Sequence, residues 1–544
     1  MKLSQFIWSI SLALIFTVLA TGIMSYISLT VPIGPWIEPT LVLIGVLIFA
    51  ALRHFFIPSQ QESVLSYAVI GGGIAGIAAS ACAWSVPALY FLQPTLFAEW
   101  LAQPWYFFAL HAVLVMSAGG FGLLLARWYE RPLLDEKKLV FPVGQMVFQS
   151  LNITEQLAKG WQLLAGAVSA LAYGVATLFR QIIPAKLVIL QTSKIGWFVI
   201  PKLVLYPGLI PMLWAIGFIA GKMLAVPFAV GAMLQFFAVG PLNHFLFPRV
   251  SSETFLLALC AGLVLEGAVI SFWELGKKAL SAMRGKKLRS WFTTTRAPYK
   301  HIISFDLQRA HRLELLVVIG LLLVFFMWLQ LSLLAQLFVI LGTSMCVYEL
   351  MVFMGKVGLA PLGRFATFVM LPTLVLFGIT PLQATLVAAF VEIAGGVAAD
   401  AMSGKKIGQL AGLEEVWVHR MQWISLLATG LLIGVIFWLL YTYFGIGVTP
   451  LIAQKAQARA LLIGSYTFDF WVVGVGVIFG YLLKRMHIAT SLVLGGLLMP
   501  YDISLILIAG GFSTYLAKEP QAQVPFWSGV FAASSLWMIG KALL

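Results

Sequence analysis

The sequence predicts an all-α polytopic membrane protein, with about sixteen transmembrane helices in two halves of eight and re-entrant or broken helices among them. Three observations predict it. The 544 residues are 61% hydrophobic and 10% charged, with a mean hydropathy of +0.98. Soluble domains run at roughly 45–50% apolar and 25% charged, so lipid has to solvate much of this chain. Apolar runs of membrane-spanning length recur from end to end, and the cations gather in the short stretches between them.

A bilayer core takes about 20 apolar residues of helix. That ruler places spans near 6–29, 36–52, 65–92, 105–127, 161–179, 207–222, 223–240 and 254–276. After a basic stretch they resume near 313–330, 333–354, 359–378, 383–402, 418–443, 460–483, 488–516 and 525–543. The first run is too long for a signal-peptide core and reads as a retained span. The domains that follow are an N-terminal transmembrane half (1–276), a basic cytoplasmic loop (277–312) and a C-terminal transmembrane half (313–544).

Loop charges set the orientation. Arg53 follows span two, and Arg127, Arg131, Lys137 and Lys138 follow span four. The loop 277–312 carries ten Lys or Arg against one acid, Asp306. Lys405 and Lys406 follow span twelve; Lys484 and Arg485 follow span fourteen. The alternate loop 93–104 has no cation. By the positive-inside rule both termini are cytoplasmic. This distribution, rather than the net charge of +14, also argues against a nucleic-acid partner; the partners expected are membrane lipids, protons and a small-molecule or peptide substrate. The oligomeric state is open, a homodimer included. Arg180, Lys186, Lys194 and Lys202 disagree with the pattern. Either 139–158 or 182–203 is a re-entrant or interfacial segment, or these cations line a water-filled cavity.

The stretch "AVIGGGIAGIAAS" (68–80) contains a literal G-x-G-x-x-G at Gly71, Gly73 and Gly76, the fingerprint of a dinucleotide-binding loop. No βαβ pattern surrounds it. It lies inside an apolar run from Leu65 to Leu92, where Gly72, Gly76 and Ser80 at four-residue spacing let helix backbones approach one another. Pro87 then interrupts the helix.

The continuation, "GGGIAGIAASACAWSVPAL" (71–89), resembles the bacterial oligopeptide transporter family, whose small-residue helix ends in an aromatic residue and Pro-Ala-Leu; Trp84, Pro87, Ala88 and Leu89 take those places. Four further segments follow in the family's order. "LLLARWYERPLLDEKKLVFPVGQMVFQSL" (123–151) is similar to its basic loop and Phe-Pro-x-Gly turn, through Phe141, Pro142, Gly144 and Leu151. "YPGLIPMLWAIGFIAGKM" (206–223) is similar to its glycine helix, through Gly217, Phe218, Ile219 and Gly221. "DAMSGKKIGQLAG" (400–412) matches at Asp400, Ser403, Gly404 and Gly408. "SLVLGGLLMPYDISLILIAGG" (491–511) matches at Pro500, Gly510 and Gly511. There are departures. Gln149 stands where the family has a glutamate. The polar Asn and Gln-Thr before the small-residue helix are missing near Glu62 to Ile70. "GTSMCVYELMVFMGKVG" (342–358) replaces a Ser-Asn-Pro-x-Ser-Gly segment. The chain resembles a divergent member. The resemblance implies a secondary active, proton-coupled transporter of short peptides, peptide-like compounds or metal chelates, in a bacterial inner membrane.

Ionisable groups within apolar runs are costly and are functional candidates. Glu266, Glu349, Glu392, Asp400 and Asp469 are the acids; Lys222, Lys356 and Arg364 are the cations. Glu349, Glu392 and Asp400 are the candidates for proton coupling, against the alternative of structural carboxylates paired with a cation. Glu392 and Asp400, eight apart, share a side of one helix two turns apart, with Gly395 and Gly396 between them. Gln145, Gln149 and Asn152 offer amide donors and acceptors suited to peptide groups, or to helix–helix hydrogen bonds. Lys222 is a candidate for binding a substrate carboxylate or phosphate, or snorkels to the interface. Gly72, Gly76, Pro87, Pro142, Gly144, Gly404 and Pro500 are candidate hinge or exposed-backbone positions.

Cys82, Cys260 and Cys346 are scattered within apolar runs and read as buried hydrophobes. The seven histidines make no metal spacing, so no metal and no cofactor are expected. There is no Walker A motif and no catalytic triad, and the chain is not expected to be an enzyme. The rival readings are a membrane-embedded oxidoreductase using the glycine-rich helix, and a channel or structural membrane protein.

Overall fold

The computed structural model describes residues 3–31, 37–51, 58–139, 141–149, 151, 153–177, 187–190, 193–195, 198–200, 203–205, 207–252, 254–263, 265–266, 309–357, 360–465, 469–488, 490–498 and 501–543. The helices are α1 (Leu3–Thr30), α2 (Glu38–Ala51), α3 (Pro58–Ser85), α4 (Ala88–Leu92), α5 (Pro94–Ala102), α6 (Pro104–Trp128), α7 (Pro142–Gln149), α8 (Ile153–Ala176), α9 (Ile210–Ala220), α10 (Lys222–Leu234), α11 (Gly240–Leu246), α12 (Thr254–Leu263), α13 (Arg309–Leu329), α14 (Leu333–Val357), α15 (Leu362–Phe377), α16 (Pro381–Leu410), α17 (Glu415–Phe444), α18 (Gln454–Ile463), α19 (Phe470–Arg485), α20 (Thr490–Leu498), α21 (Tyr501–Ser513) and α22 (Pro520–Leu543).

Among the described residues, 8 helical stretches are long and apolar enough to cross a membrane: α1, α3 with α4, α6, α10 with α11, α13, α14, α16 and α17. Their length and composition are those of an integral membrane protein. Of the other expected spans, 161–179 and 525–543 fall on the 24-residue helices α8 and α22, and several more are short or interrupted. The span 36–52 is the 14-residue α2. The spans 207–222 and 223–240 meet at Gly221, whose φ of +59° breaks the rod between α9 and α10. The runs 460–483 and 488–516 each divide into two helices. A hydropathy window reads such a run as one rod because composition does not record where the backbone turns. The expected loop 277–312 lies outside the described residues up to 308.

The all-helical expectation needs one correction. Four short strands, β1 (Leu187–Leu190), β2 (Ser193–Ile195), β3 (Phe198–Ile200) and β4 (Leu203–Leu205), form nested antiparallel pairs, β1 with β4 and β2 with β3. They occupy the stretch whose cations disagree with the loop pattern. Its density of branched residues (Val188, Ile189, Ile195, Val199, Ile200, Val204) suits a pleated surface, so the described residues between 187 and 205 are strands and not helix.

The centre of the bundle is α3 and α16, with 94% and 89% of their apolar windows buried inside the protein. The glycines of α3 let neighbours in. A Cβ on Gly71 would strike Ser425 of α17, one on Gly72 would strike Leu41, and one on Gly76 would lie 2.7 Å from Ile37. With Leu65 seated on Gly45, these contacts fix α2 antiparallel to α3. The N-terminus of α2 therefore lies about half-way along α3, and α2 covers only one half of it. α16 is held at its start by a capping box: Thr380 Oγ1 accepts from Gln383 N at 3.2 Å, and Gln383 Oε1 accepts from Thr380 N at 2.8 Å. Such a cap stabilises by about 1 kcal/mol.

A second layer is built differently. Four helix pairs meet through reciprocal contacts between a glycine and a carbonyl three residues before its partner glycine. Gly166 of α8 faces the Phe526 carbonyl, while Gly529 of α22 faces that of Leu163. Gly217 (α9) and Gly510 (α21) face Leu507 and Trp214; Gly231 (α10) and Gly496 (α20) face Val493 and Phe228; Gly262 (α12) and Gly476 (α19) face Val473 and Leu259. The pairs run in reverse chain order, α8 with α22 through α12 with α19. Backbones this close bring Cα–H groups onto carbonyl oxygens, worth about 0.5–1 kcal/mol each, and any Cβ would part them.

Candidate functional site

Two clusters of ionisable groups flank α3, one near its middle and one at its end. Glu392 and Asp400 both project from α16 toward it, as their spacing predicts, and both are buried (1% and 5% exposed). Between their levels, Ile77 packs on Gly396 and Leu350 on Gly395, so the glycines there receive side chains.

At the end of α3, Glu392 is fully engaged. Oε1 is paired with Arg459 Nη2 of α18; Oε2 accepts from Ser85 Oγ, the last residue of α3, at 2.6 Å. The other guanidinium nitrogen, Nη1, reaches only Met370 Sδ at 3.9 Å. One turn before Arg459, Lys455 lies with its ammonium 3.1 Å from the centre of the Trp84 ring. Four residues apart on a helix, the two cations share a face. Gly363 covers the pair with backbone alone: a Cβ there would lie 3.4 Å from Glu392 Oε1 and 3.6 Å from Arg459 Nη2. Trp84 Nε1 is buried with no hydrogen-bond partner among the described residues.

Near the middle of α3, Asp400 meets Glu38, the first residue of α2. Both carboxyls converge on Gly73, where a Cβ would lie 2.7 Å from Asp400 Oδ2 and 3.2 Å from Glu38 Oε1. The two carboxyls thus lie side by side over the same glycine. Glu38 is 5% exposed, and its Oε2 has no hydrogen-bond partner among the described residues. A side chain at Gly73 would push the Asp400 carboxyl aside.

Beyond this pair, ion pairs tie the ends of α6, α13, α16 and α17 together. Lys405 is buried and bonds Glu130. Burial pushes the Glu130 carboxyl above its usual range, and the Lys405 ammonium opposes that shift. Arg127 pairs with Glu314, which also binds His419 at 2.9 Å and the indole N–H of Trp423 at 3.1 Å. Lys405 and Arg127, read above as loop charges that set orientation, are thus also interhelical partners.

The other sequence candidates are placed as follows. Glu349 lies on the exposed face of α14 and joins neither cluster. Asp469 is an exposed N-cap, accepting from Trp471 N at 2.9 Å and Val472 N at 3.3 Å. Glu266 is buried against Gly480 with no hydrogen-bond partner among the described residues. Arg364 is exposed. Gln145 is half-buried on α7, beside the turn in which Phe141 (φ +49°) donates to the Gly355 carbonyl at 2.9 Å and Pro142 starts the helix. A Cβ on Gly144 would lie 2.8 Å from the Ser403 carbonyl, and one on Gly404 2.9 Å from Ile70. Pro87 ends the break between α3 and α4. Asn152 and Pro500, and the side chains of Gln149, Lys222 and Lys356, lie outside the described residues.

Sequence reasoning missed Glu38, Ser85, Lys455 and Arg459. A signal for the last two exists: Lys-x-x-x-Arg in "IAQKAQARALLIG", immediately before an apolar run. Among the described residues no group of three or more His, Cys, Asp or Glu could hold a metal ion. A groove of about 320 Å³ between α8, α9 and α22, lined by Tyr173, Trp214, Phe526 and Trp527 among others, carries no charged side chain. No protein-family model matches the chain, and no curated protein matches it.

Proposed function

We propose that the chain is a proton-coupled secondary transporter of short peptides, peptide-like compounds or metal chelates, as its resemblance to the oligopeptide transporters implies. In this reading sixteen spans, complete and broken, form two halves in a bacterial inner membrane, with both termini cytoplasmic. The observation that carries it is the carboxyl pair Glu38–Asp400. A like charge close by disfavours ionisation, so in this reading one of the two acids carries the coupled proton. The pair sits where the half-length helix α2 begins, and helix starts at mid-depth are a feature of transporter sites. The glycine run of α3 is filled by Ser425, Leu41, Ile37 and the two carboxyls, which favours transport over a nucleotide-binding enzyme.

The test is uptake into proteoliposomes under an imposed pH gradient, with tri- to pentapeptides, glutathione and iron chelates. We expect concentrative uptake that collapses with an uncoupler. Asp400→Asn should abolish gradient-driven uptake, by tenfold or more, yet keep exchange of internal for external substrate. Uptake insensitive to the uncoupler, or an Asp400→Asn protein with an unchanged dependence on the gradient, overturns the reading.

A further inference from the structure

We infer that Lys455, with Trp84 and Arg459 beside it, binds a carboxylate, and that this carboxylate is the C-terminal group of a peptide-like solute. The inference rests on the transport reading and deepens it by naming the substrate group and the place that recognises it.

The charge count is the first ground. Two cations, Lys455 and Arg459, share the site with one anion, Glu392. That anion is spent, since one oxygen is taken by Arg459 and the other by Ser85. Lys455 rests on an indole face and feels Glu392 only at a distance, with no hydrogen bond or ion pair to it. A partly buried cation gains from a counter-charge as well as from a polarisable neighbour. With two cations and one anion here, one further negative charge would balance the site.

Unused donors are the second ground. The Trp84 N–H is buried without an acceptor, and the Lys455 ammonium lies over that same ring. Both are within reach of one carboxylate, whose two oxygens can take one donor each. Arg459 Nη1 adds a third donor, now facing only a thioether sulfur, a weak acceptor. Two donors without strong acceptors among the described residues, on Trp84 and Arg459, thus lie beside Lys455, where the net charge is positive.

Access is the third ground. Gly363 approaches Glu392 and Arg459 with no side chain of its own, so backbone alone covers this side. A monoanion neutralises the surplus charge, whereas a phosphate dianion reverses it, so the count favours a carboxylate over phosphate. The peptide chain attached to it would present amides toward Gln454 Oε1, buried and without a partner among the described residues, next to Lys455 on α18.

The experiment measures binding to the purified full-length protein in detergent, with trialanine, trialanine C-terminal amide and inorganic phosphate as probes. We expect trialanine to bind wild type about tenfold or more tightly than its amide, the scale of one charged hydrogen bond. Lys455→Gln should erase that discrimination, Lys455→Arg should retain it, and Gly363→Leu should block binding. Should Lys455→Gln fail to fold, Trp84→Phe, which removes the N–H and keeps a ring, should lower the discrimination instead. Equal binding of acid and amide, discrimination surviving in a folded Lys455→Gln or Trp84→Phe protein, preference for phosphate, or no binding of any probe to wild type overturns the inference. Binding needs no gradient. Discrimination without gradient-driven uptake would therefore overturn the transport reading alone, and uptake indifferent to the terminal carboxylate would overturn this inference alone.

Discussion

The bundle around α3 and α16 and the layer formed by α8–α12 with α19–α22 solve one problem in different ways. Lipid gives helices no hydrophobic reason to associate. The layer answers with shape: four reciprocal glycine–carbonyl contacts, with one ionisable side chain, Glu266 against Gly480, beside the α12–α19 contact. The central bundle uses glycines too, but places carboxyls, a lysine and an arginine against them. Shape alone holds α8 to α22, α9 to α21 and α10 to α20. The polar groups of the central bundle are thus more than an assembly requirement, and that is where function is to be sought.

The largest effect expected from breaking this contrast lies in the layer. Gly217→Leu drives a branched side chain into the Leu507 carbonyl and should abolish the monodisperse peak in size-exclusion chromatography. Gly320→Leu, at a position with nothing within 4 Å, should leave it intact. Gly217→Ala should cost about 1–3 kcal/mol, the usual range for overpacking. If Gly217→Leu runs as a normal peak, the layer is not held by close approach.

A smaller effect is expected in the central bundle. Arg459→Leu strands Glu392 among apolar neighbours and should lower stability by about 3–5 kcal/mol in chemical unfolding. Adding Glu392→Gln should restore part of the loss; a double variant as unstable as the sum of the singles would mean that the pair does not act as a unit. Smallest is Thr380→Ala, which removes one side-chain cap from α16 and should cost about 1 kcal/mol without altering uptake.

How much of this was legible beforehand depends on the length scale of each feature. Glu392 and Asp400 stand out because each interrupts a long apolar run, and their common side follows from helix geometry. Their partners do not stand out. Arg459 and Lys455 lie on a 10-residue helix, too short and too polar for a window built to find spans, so the stretch passes for a loop. Glu38 precedes a short apolar helix and reads as a boundary residue, since nothing local says that the helix begins deep in the bundle. Ser85 and Glu392 are 307 residues apart. Glu349 has the opposite history: an acid in an apolar run that the fold turns outward. The glycine pairs were visible as small residues, but their reciprocity needs two helices side by side.

One main-chain bond joins the two clusters mechanically. Ala453 N donates to the Leu29 carbonyl at 2.7 Å, tying the start of α18 to the end of α1. α1 runs beside α3, where Ser28 Oγ donates to Ser80 Oγ at 3.0 Å and Phe16 packs under Gly72. A tilt of α18 that loosens Lys455 from Trp84 therefore pulls on α1, and α1 on the stretch of α3 whose Gly73 forms the floor under Glu38 and Asp400. In the transporter proposed above, solute release at one end and proton release at the other would be strokes of a single lever, with Leu29 as its pin.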